Sequence, residues 1–171
     1  GGVGKTTLYQ AIYEREKSHF QETAWICVSQ TYAIEDLLRK LLEKIGGEQQ
    51  VSPNIDKLDV YDLKEKIKQF LKTRKYLVVL DDVWDQEVWL QMSPAFWFLP
   101  GSRVIITTRD DHTAQLAHPT RRLDIQPLTN AQAWELFCSR TFYEKDHACP
   151  SDLVEVASQV LNYAGGLPLA L

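Results

Sequence analysis

Short apolar segments alternate with segments of helical periodicity up to about residue 128, and this alternation limits the possible folds more than any other feature. The apolar segments are AWICV at residues 24–28, YLVVL at 76–80 and RVIITT at 103–108, with a weaker one, LDI, at 123–125. All are short, and the first two are continuously apolar, which is typical of strands covered on both faces. Strand and helix in alternation predict an α/β fold with a parallel sheet flanked by helices.

The helical pattern continues after the strands stop. Thr129 and Gln132 form a capping-box pattern at the start of a helix, and an apolar stripe across residues 153–164 predicts a later one. Between the strands, amphipathic helices are predicted at residues 34–45 and 60–71. We therefore predict an α/β domain over residues 1–128 and the beginning of a small helical subdomain over residues 129–171.

Charge and cysteine content narrow the possible partners and cell compartment. The net charge of -4 gives no electrostatic reason to expect nucleic acid or an anionic membrane as the main partner. Cys27, Cys138 and Cys149 are odd in number and lack metal-ligand spacing, which favours a reducing, cytoplasmic setting. The longest purely apolar runs, such as residues 76–80, are far too short to span a membrane.

The first residues, GGVGKTT, resemble part of a phosphate-binding loop. Gly4, Lys5 and Thr6 supply the last three positions of the pattern G-x-x-x-x-G-K-[ST]. Gly2 and Gly4 allow positive φ and a close approach of backbone N–H groups to a polyanion, and a helix that begins near Lys5 adds the positive end of its dipole. Lys5 would reach the β- and γ-phosphates, and the Thr6 hydroxyl would bind Mg²⁺. Taken alone, the pattern is also compatible with a glycine-rich terminus that binds nothing.

Two acids follow the strand at residues 76–80. A magnesium-dependent nucleotide site needs a carboxylate at the C-terminal end of a strand near the loop, and YLVVLDD places Asp81 and Asp82 there. Asp81 is the predicted metal acid, and Asp82 is the predicted catalytic group that would orient or deprotonate an attacking water. A turn or a helix cap is the alternative interpretation of the acid pair by itself.

The strand in GSRVIITTRD ends next to Arg109. Carboxyl ends of parallel strands share one edge of a sheet, so the Arg109 guanidinium would contact a γ-phosphate and report its presence. A solvated arginine at a strand end is the alternative interpretation.

Taken together and in order, these motifs resemble the NB-ARC nucleotide-binding domain of plant intracellular disease-resistance (NBS-LRR) receptors. The resemblance covers nearly the whole chain. Trp84, after LDDV, is similar to the coiled-coil-bearing subgroup rather than the Toll/interleukin-receptor-type subgroup. The blocks that carry the resemblance are GGVGKTT, FQETAWICVSQTY, KYLVVLDDVW, GSRVIITTRD, LDIQPLTNAQAWELF and GGLPLAL.

The resemblance implies a switch that holds ADP in a resting receptor and ATP in an activated one that signals defence. It implies Mg²⁺ bound by Thr6 and Asp81, a γ-phosphate contact from Arg109, and Pro168 packed near the adenine. It also implies partner domains in the same receptor (a coiled coil, a winged helix and leucine-rich repeats) and self-association on activation. The remaining nucleotide-binding residues implied by the loop are Gly1, Gly2, Val3, Gly4, Lys5 and Thr7.

The chain starts inside the first block and stops inside the last, so we expect a fragment of such a receptor. In the family's sheet the first strand, which would precede Gly1, lies between the strands that correspond here to residues 76–80 and 103–108. We therefore predict a truncated P-loop NTPase sheet in which these two strands have unpaired apolar edges. A weakly stable isolated chain with weak nucleotide binding would follow.

Two other functions remain open from the sequence. An ATP-hydrolysing P-loop enzyme would use the same Lys5, Thr6, Asp81 and Asp82, and turnover is not encoded in a motif, so at most a slow ATPase is expected. A STAND-type signalling or transcription regulator carries a similar nucleotide-binding module. The block that contains Trp84 and the sequences of the other blocks favour the plant receptor. A scaffold without nucleotide would give no reason for Lys5, Asp81 and Arg109 to converge.

Overall fold

The computed structural model describes residues 2–47, 55–143 and 146–171, apart from the side chain of Asp56. The chain divides into two compact units. One is Tyr9–Arg122, and the other combines Gly1–Leu8 with Leu123–Leu171. The domain boundary predicted after residue 128 stays a prediction.

The Tyr9–Arg122 unit is built on a parallel sheet. Its strands are β1 (Glu22–Cys27), β2 (Tyr76–Val83) and β3 (Arg103–Thr108), in the order β1-β2-β3. Strand β2 is central and almost wholly buried, as its continuous apolar run predicts. The predicted α/β class, with a parallel sheet flanked by helices, is confirmed.

Helices cover both faces of the sheet. Ala24 and Ile26 of β1 are buried in the main apolar core, whereas Trp25, which points to the opposite face, makes an edge-on ring contact with Tyr13 at 5.5 Å. The described α-helices are α1 (Lys5–Glu16), α2 (Ile34–Gly46), α3 (Val60–Leu71), α4 (Gln86–Met92), α5 (Asp111–Ala114), α6 (Asn130–Thr141) and α7 (Val154–Ala164). Helices α2 and α3 occupy the predicted positions, and their apolar residues form the core with β1 and β2: Leu37, Leu38, Leu41, Leu42, Ile45, Leu63, Ile67 and Leu71.

The prediction of unpaired edges on the second and third strands is wrong. Strands β2 and β3 pair directly with each other, with Leu77 opposite Arg103 and Leu80 opposite Ile106. Among the described residues, no strand lies between them. Along the edge that they share, the backbone N–H and C=O groups of β2 and β3 therefore bond to each other. The weak stability and weak nucleotide binding expected of the isolated chain stay predictions.

The predicted weak strand at residues 123–125 is also absent. Residues 122–129 have no regular secondary structure, and Leu123 is 61% exposed. Two apolar residues separated by Asp124 bury too little surface to hold a strand against the edge of a sheet.

The second unit contains α6 and α7. The capping box at α6 is confirmed. The backbone N–H of Gln132 donates to Thr129 Oγ1 at 3.3 Å, and the backbone N–H of Thr129 donates to Gln132 Oε1 at 3.0 Å. The apolar stripe on α7 is only partly buried: Ala157 is covered, but Val156 is 58% exposed. Among the described residues, no helix has the length and apolar character that crossing a membrane requires.

Candidate functional site

The loop before α1 has the backbone conformation that its glycines predict. Gly2 and Gly4 have φ values of 85° and 88°, in the left-handed region that other residues rarely adopt. Helix α1 then begins at Lys5, and the amide of Leu8 donates to Gly4 O at 2.9 Å. The chain therefore turns through two left-handed glycines directly into a helix, which presents backbone N–H groups at the helix N-terminus.

The side chains of the loop are accessible to differing extents. Val3 and Lys5 are half-buried, while Thr6 and Thr7 are exposed on the first turn of α1. No acidic residue occupies that turn, so no carboxylate of the helix itself competes for the site that an anion would take. Gly1 lies outside the described residues.

The loop lies against the C-terminal GLPL segment of the same unit. Leu169 donates its amide hydrogen to Gly2 O at 3.2 Å. A Cβ added at Gly4 would lie 3.8 Å from Pro168 Cγ, an ordinary contact distance. The structure thus places Pro168 next to Gly2 and Gly4 of the loop before α1, although the GLPL segment and this loop are separated by most of the sequence.

Gly166 explains how the GLPL segment is held there. Its φ is 73°, and a Cβ at this position would come within 2.4 Å of Leu128 O. The Leu128 amide also donates to Gly166 O at 2.8 Å. Only glycine permits this approach, so Gly166 fixes the segment that carries Pro168.

In the other unit, the two acids at the end of β2 have different surroundings. Asp81 is 4% exposed, and its Oδ1 accepts a hydrogen bond of 2.6 Å from Thr107 Oγ1 on β3. Asp82 has a left-handed φ of 57° and lies in the register irregularity between Leu80 and Val83. Its amide donates to the same Thr107 oxygen at 2.9 Å.

Arg109 lies beside the second acid rather than the first. Its Nε is 3.2 Å from Asp82 Oδ1, and its guanidinium carbon lies 5.3 Å from the centre of the Trp84 ring. Both partners of the ion pair are partly exposed, so solvent weakens the attraction. Trp84, Arg109, Val83 and Asp110 line an open cleft at this edge of the sheet.

Asp110, at the same edge of the sheet, caps the N-terminus of α5. Its Oδ2 accepts from the Thr113 amide at 2.6 Å, and this hydrogen bond lowers the pKa of the Asp110 carboxyl. The Asp110 carboxylate is therefore the N-cap of α5.

Sequence reasoning did not identify Thr107 or the contact between Trp84 and Arg109. Thr107 is a polar residue near the C-terminal end of β3 and is only 3% exposed. A buried hydroxyl at a strand end next to an acid must find a partner, and that requirement was the available signal. Among the described residues, no cluster of three or more His, Cys, Asp or Glu side chains could hold a metal ion by itself.

A parallel α/β sheet and a left-handed glycine loop that opens a helix place this protein in the class of P-loop nucleotide-binding proteins. The chain belongs to the NB-ARC domain family, whose sequence profile matches residues 1–147. The NB-ARC domain is a nucleotide-binding domain.

The chain is similar along its whole length to plant disease resistance proteins. It is 35% identical over 180 residues to the probable disease resistance protein At1g59620 of Arabidopsis thaliana, and 34% over 182 residues to the disease resistance protein RPM1 of the same plant. It is 31% identical over 175 residues to the disease resistance protein RGA2 of Solanum bulbocastanum. These matches cover 99–100% of this chain but only 18–20% of each relative. The chain thus spans about a fifth of the length of these relatives.

Proposed function

We propose that the chain is the ADP/ATP-binding switch module of a plant immune receptor of the coiled-coil subgroup. The observation that carries the proposal is the contact of the Gly2–Gly4 loop with Pro168 and Leu169. A glycine loop with accessible backbone amides and the apolar ring of Pro168 then lie side by side, which suits a nucleotide with its phosphates on the loop and its base near Pro168. Membership of the NB-ARC family and the names of the relatives support the defence role.

The loop residues would share the polyphosphate. The amides of Gly2, Val3 and Gly4 would donate to phosphate oxygens, while Lys5 would neutralise charge on the β- and γ-phosphates. Thr7, in the first turn of α1, would add a hydroxyl donor. The neighbouring Gly1 belongs to the same proposed loop.

The oxygen donors of this chain suit Mg²⁺. Asp81 offers a buried carboxylate and Thr6 a hydroxyl, both hard ligands, and Mg²⁺ is commonly held by one or two protein groups together with waters and phosphates. When bound, Mg²⁺ would neutralise charge on the phosphates.

Arg109 would distinguish ATP from ADP. In the described structure its guanidinium is held by Asp82 and lies over Trp84. A γ-phosphate carries more charge than one carboxylate and accepts the bidentate hydrogen bonds that a guanidinium offers. Transfer of the Arg109 guanidinium from Asp82 to the γ-phosphate would give ATP a contact that ADP lacks. Any ligand-driven switch requires such a difference in contacts.

Hydrolysis is the second candidate activity, and Asp82 would be its catalytic group. The ion pair with Arg109 occupies the Asp82 carboxylate, so Asp82 would act on a water only after Arg109 moved away. We therefore propose at most a slow ATPase. A STAND-type regulator outside plant defence would use the same module, but the relatives carry names of plant disease resistance proteins.

Because the chain spans only about a fifth of the length of these relatives, we propose that further domains of the same receptor are its partners. A receptor of their size would join this module to a coiled coil, a winged helix and leucine-rich repeats, would act in the cytoplasm, and would self-associate after nucleotide exchange.

The proposal is tested by purifying the protein without added nucleotide and identifying what it retains by chromatography of the denatured sample. We expect ADP in a near-equimolar amount and ATP turnover well below one per second with Mg²⁺ present. Many turnovers per second would indicate an enzyme or motor instead. A sample that neither retains nor binds adenine nucleotide would refute the proposal.

A further inference from the structure

One hydroxyl group connects both acids of β2 to strand β3. Thr107 Oγ1 donates to Asp81 Oδ1 at 2.6 Å and accepts from the Asp82 amide at 2.9 Å. The Thr107 and Asp81 side chains are almost completely buried, at 3% and 4% exposure. Because water has little access, the geometry of these two bonds is set by the protein.

The direction of the two hydrogen bonds is fixed by chemistry. A threonine hydroxyl has one proton to donate, and an amide N–H can only donate. Since the Asp82 amide already donates to Oγ1, the hydroxyl proton is the one that reaches Asp81. Thr107 is therefore a donor to the first acid and an acceptor from the backbone of the second.

The backbone at Asp82 separates the two carboxylates. Asp82 has φ 57° at a break in the β2–β3 register, and aspartate is one of the few residues besides glycine that adopt this conformation readily. Its carboxylate pairs with Arg109 at 3.2 Å, whereas the Asp81 carboxylate pairs with Thr107. Adjacent, chemically identical side chains thus have different partners.

We propose that Thr107 is a positioning residue that assigns the two acids their separate roles. Its hydroxyl orients Asp81 for Mg²⁺, and by holding the Asp82 amide it keeps the second carboxylate with Arg109. This inference rests on the proposed function, because it takes Asp81 as the metal acid. Groups that hydrogen-bond a ligating carboxylate commonly control metal affinity in this way.

The test compares Thr107→Val, which keeps the shape and removes the hydroxyl, with Thr107→Ser, which keeps the hydroxyl. Thr108→Val is the matched control, since Thr108 Oγ1 donates to Val83 O at 2.7 Å and accepts from the Asp110 amide at 2.9 Å. It removes hydrogen bonds of the same kind from the same strand, but neither of these bonds involves Asp81 or Asp82.

The main readout is the ratio of ADP affinities with and without Mg²⁺, measured by calorimetry on the full-length protein. We expect Thr107→Val to reduce this ratio about tenfold or more, while Thr107→Ser and Thr108→Val stay close to the parent. Affinity without Mg²⁺ should change little in all of them. A general loss of packing would instead lower both affinities together.

A second readout needs no ligand. Hydrogen exchange of the Asp82 amide in the nucleotide-free protein should be faster in Thr107→Val and unchanged in Thr108→Val. If Thr107→Val does not fold, Thr107→Cys replaces it, because a thiol of similar size is only a weak donor and should also reduce the Mg²⁺ ratio.

An unchanged Mg²⁺ ratio in Thr107→Val, or an equal loss in Thr107→Ser, would overturn the role of Thr107 alone. A parent protein that binds ADP equally well with and without Mg²⁺ would overturn the metal assignment of Asp81 and this inference with it. A parent that binds no nucleotide would refute the proposed function itself.

Discussion

The neighbouring glycines Gly165 and Gly166 offer a sharp test of how the GLPL segment is held. Both have left-handed backbone, with φ values of 57° and 73°. A Cβ at Gly165 would meet nothing within 4 Å, whereas one at Gly166 would lie 2.4 Å from Leu128 O and 3.2 Å from Leu128 N. Substitution by alanine therefore adds the same methyl group to similar backbone at both positions. The methyl group clashes with the main chain at Gly166 but not at Gly165.

The expected difference follows from these distances. Left-handed backbone costs alanine about 1–2 kcal/mol at either position. At Gly166 the methyl group must also displace backbone, an overpacking cost of about 1–3 kcal/mol. It would further disturb the 2.8 Å hydrogen bond from the Leu128 amide, which contributes about 1 kcal/mol. Gly166→Ala should thus lower the free energy of unfolding by about 2–4 kcal/mol more than Gly165→Ala.

Urea denaturation followed by circular dichroism measures this difference, and hydrogen exchange locates it. In Gly166→Ala the Leu128 amide should exchange faster, and ADP affinity should fall because Pro168 moves from the loop. Gly165→Ala should leave both close to the parent. Equal stability and equal Leu128 exchange in the two variants would show that the close approach at Gly166 does not hold this segment.

Further predictions concern a buried hydroxyl and a helix cap. The Tyr76 side chain is fully buried, its hydroxyl has no hydrogen-bond partner among the residues that the structure describes, and burial raises its pKa to about 12. Tyr76→Phe should therefore increase the free energy of unfolding, by up to about 1–3 kcal/mol in urea denaturation, and a loss of stability would contradict this account. The pKa of Asp110 is lowered by the Thr113 amide, so its contribution is present above the unfolded pKa of about 3.9 and is lost as the pH falls through the lower folded value. Thermal unfolding between pH 6 and pH 3 should be less pH-dependent in Asp110→Asn, and an unchanged profile would exclude the cap as its source.

Local patterns predicted the elements of this fold well. The continuous apolar run before Asp81 predicted the buried central strand, and the Thr129 capping box predicted the start of α6. Both signals depend on residues close in sequence. The prediction of unpaired edges depended on residues distant in sequence and was wrong, because pairing of β2 with β3 is decided by which backbone edges are available to each other.

The same difference between local and distant signals applies to the candidate site. The sequence predicted the two acids and Arg109 as site residues and gave Asp81 and Asp82 different roles, and these assignments stay predictions. It did not predict the different partners of the two acids, which depend on one left-handed residue and on a hydroxyl on another strand. Side-chain alternation in a regular strand would have placed the two acids on opposite faces but would not have named their partners.

The most direct test of the central claim is the affinity of the protein for Mg²⁺–ADP in Lys5→Arg, measured by calorimetry beside the parent and Lys17→Arg. Arginine keeps the charge at residue 5 but replaces the compact ammonium that a phosphate loop accommodates. Lys17 is an exposed residue paired with Glu14 at 2.6 Å, beyond the end of α1. We predict a loss of affinity of about tenfold or more in Lys5→Arg, equivalent to about 1.4 kcal/mol, and none in Lys17→Arg. Equal affinity in all three proteins would contradict the assignment of the nucleotide to this loop.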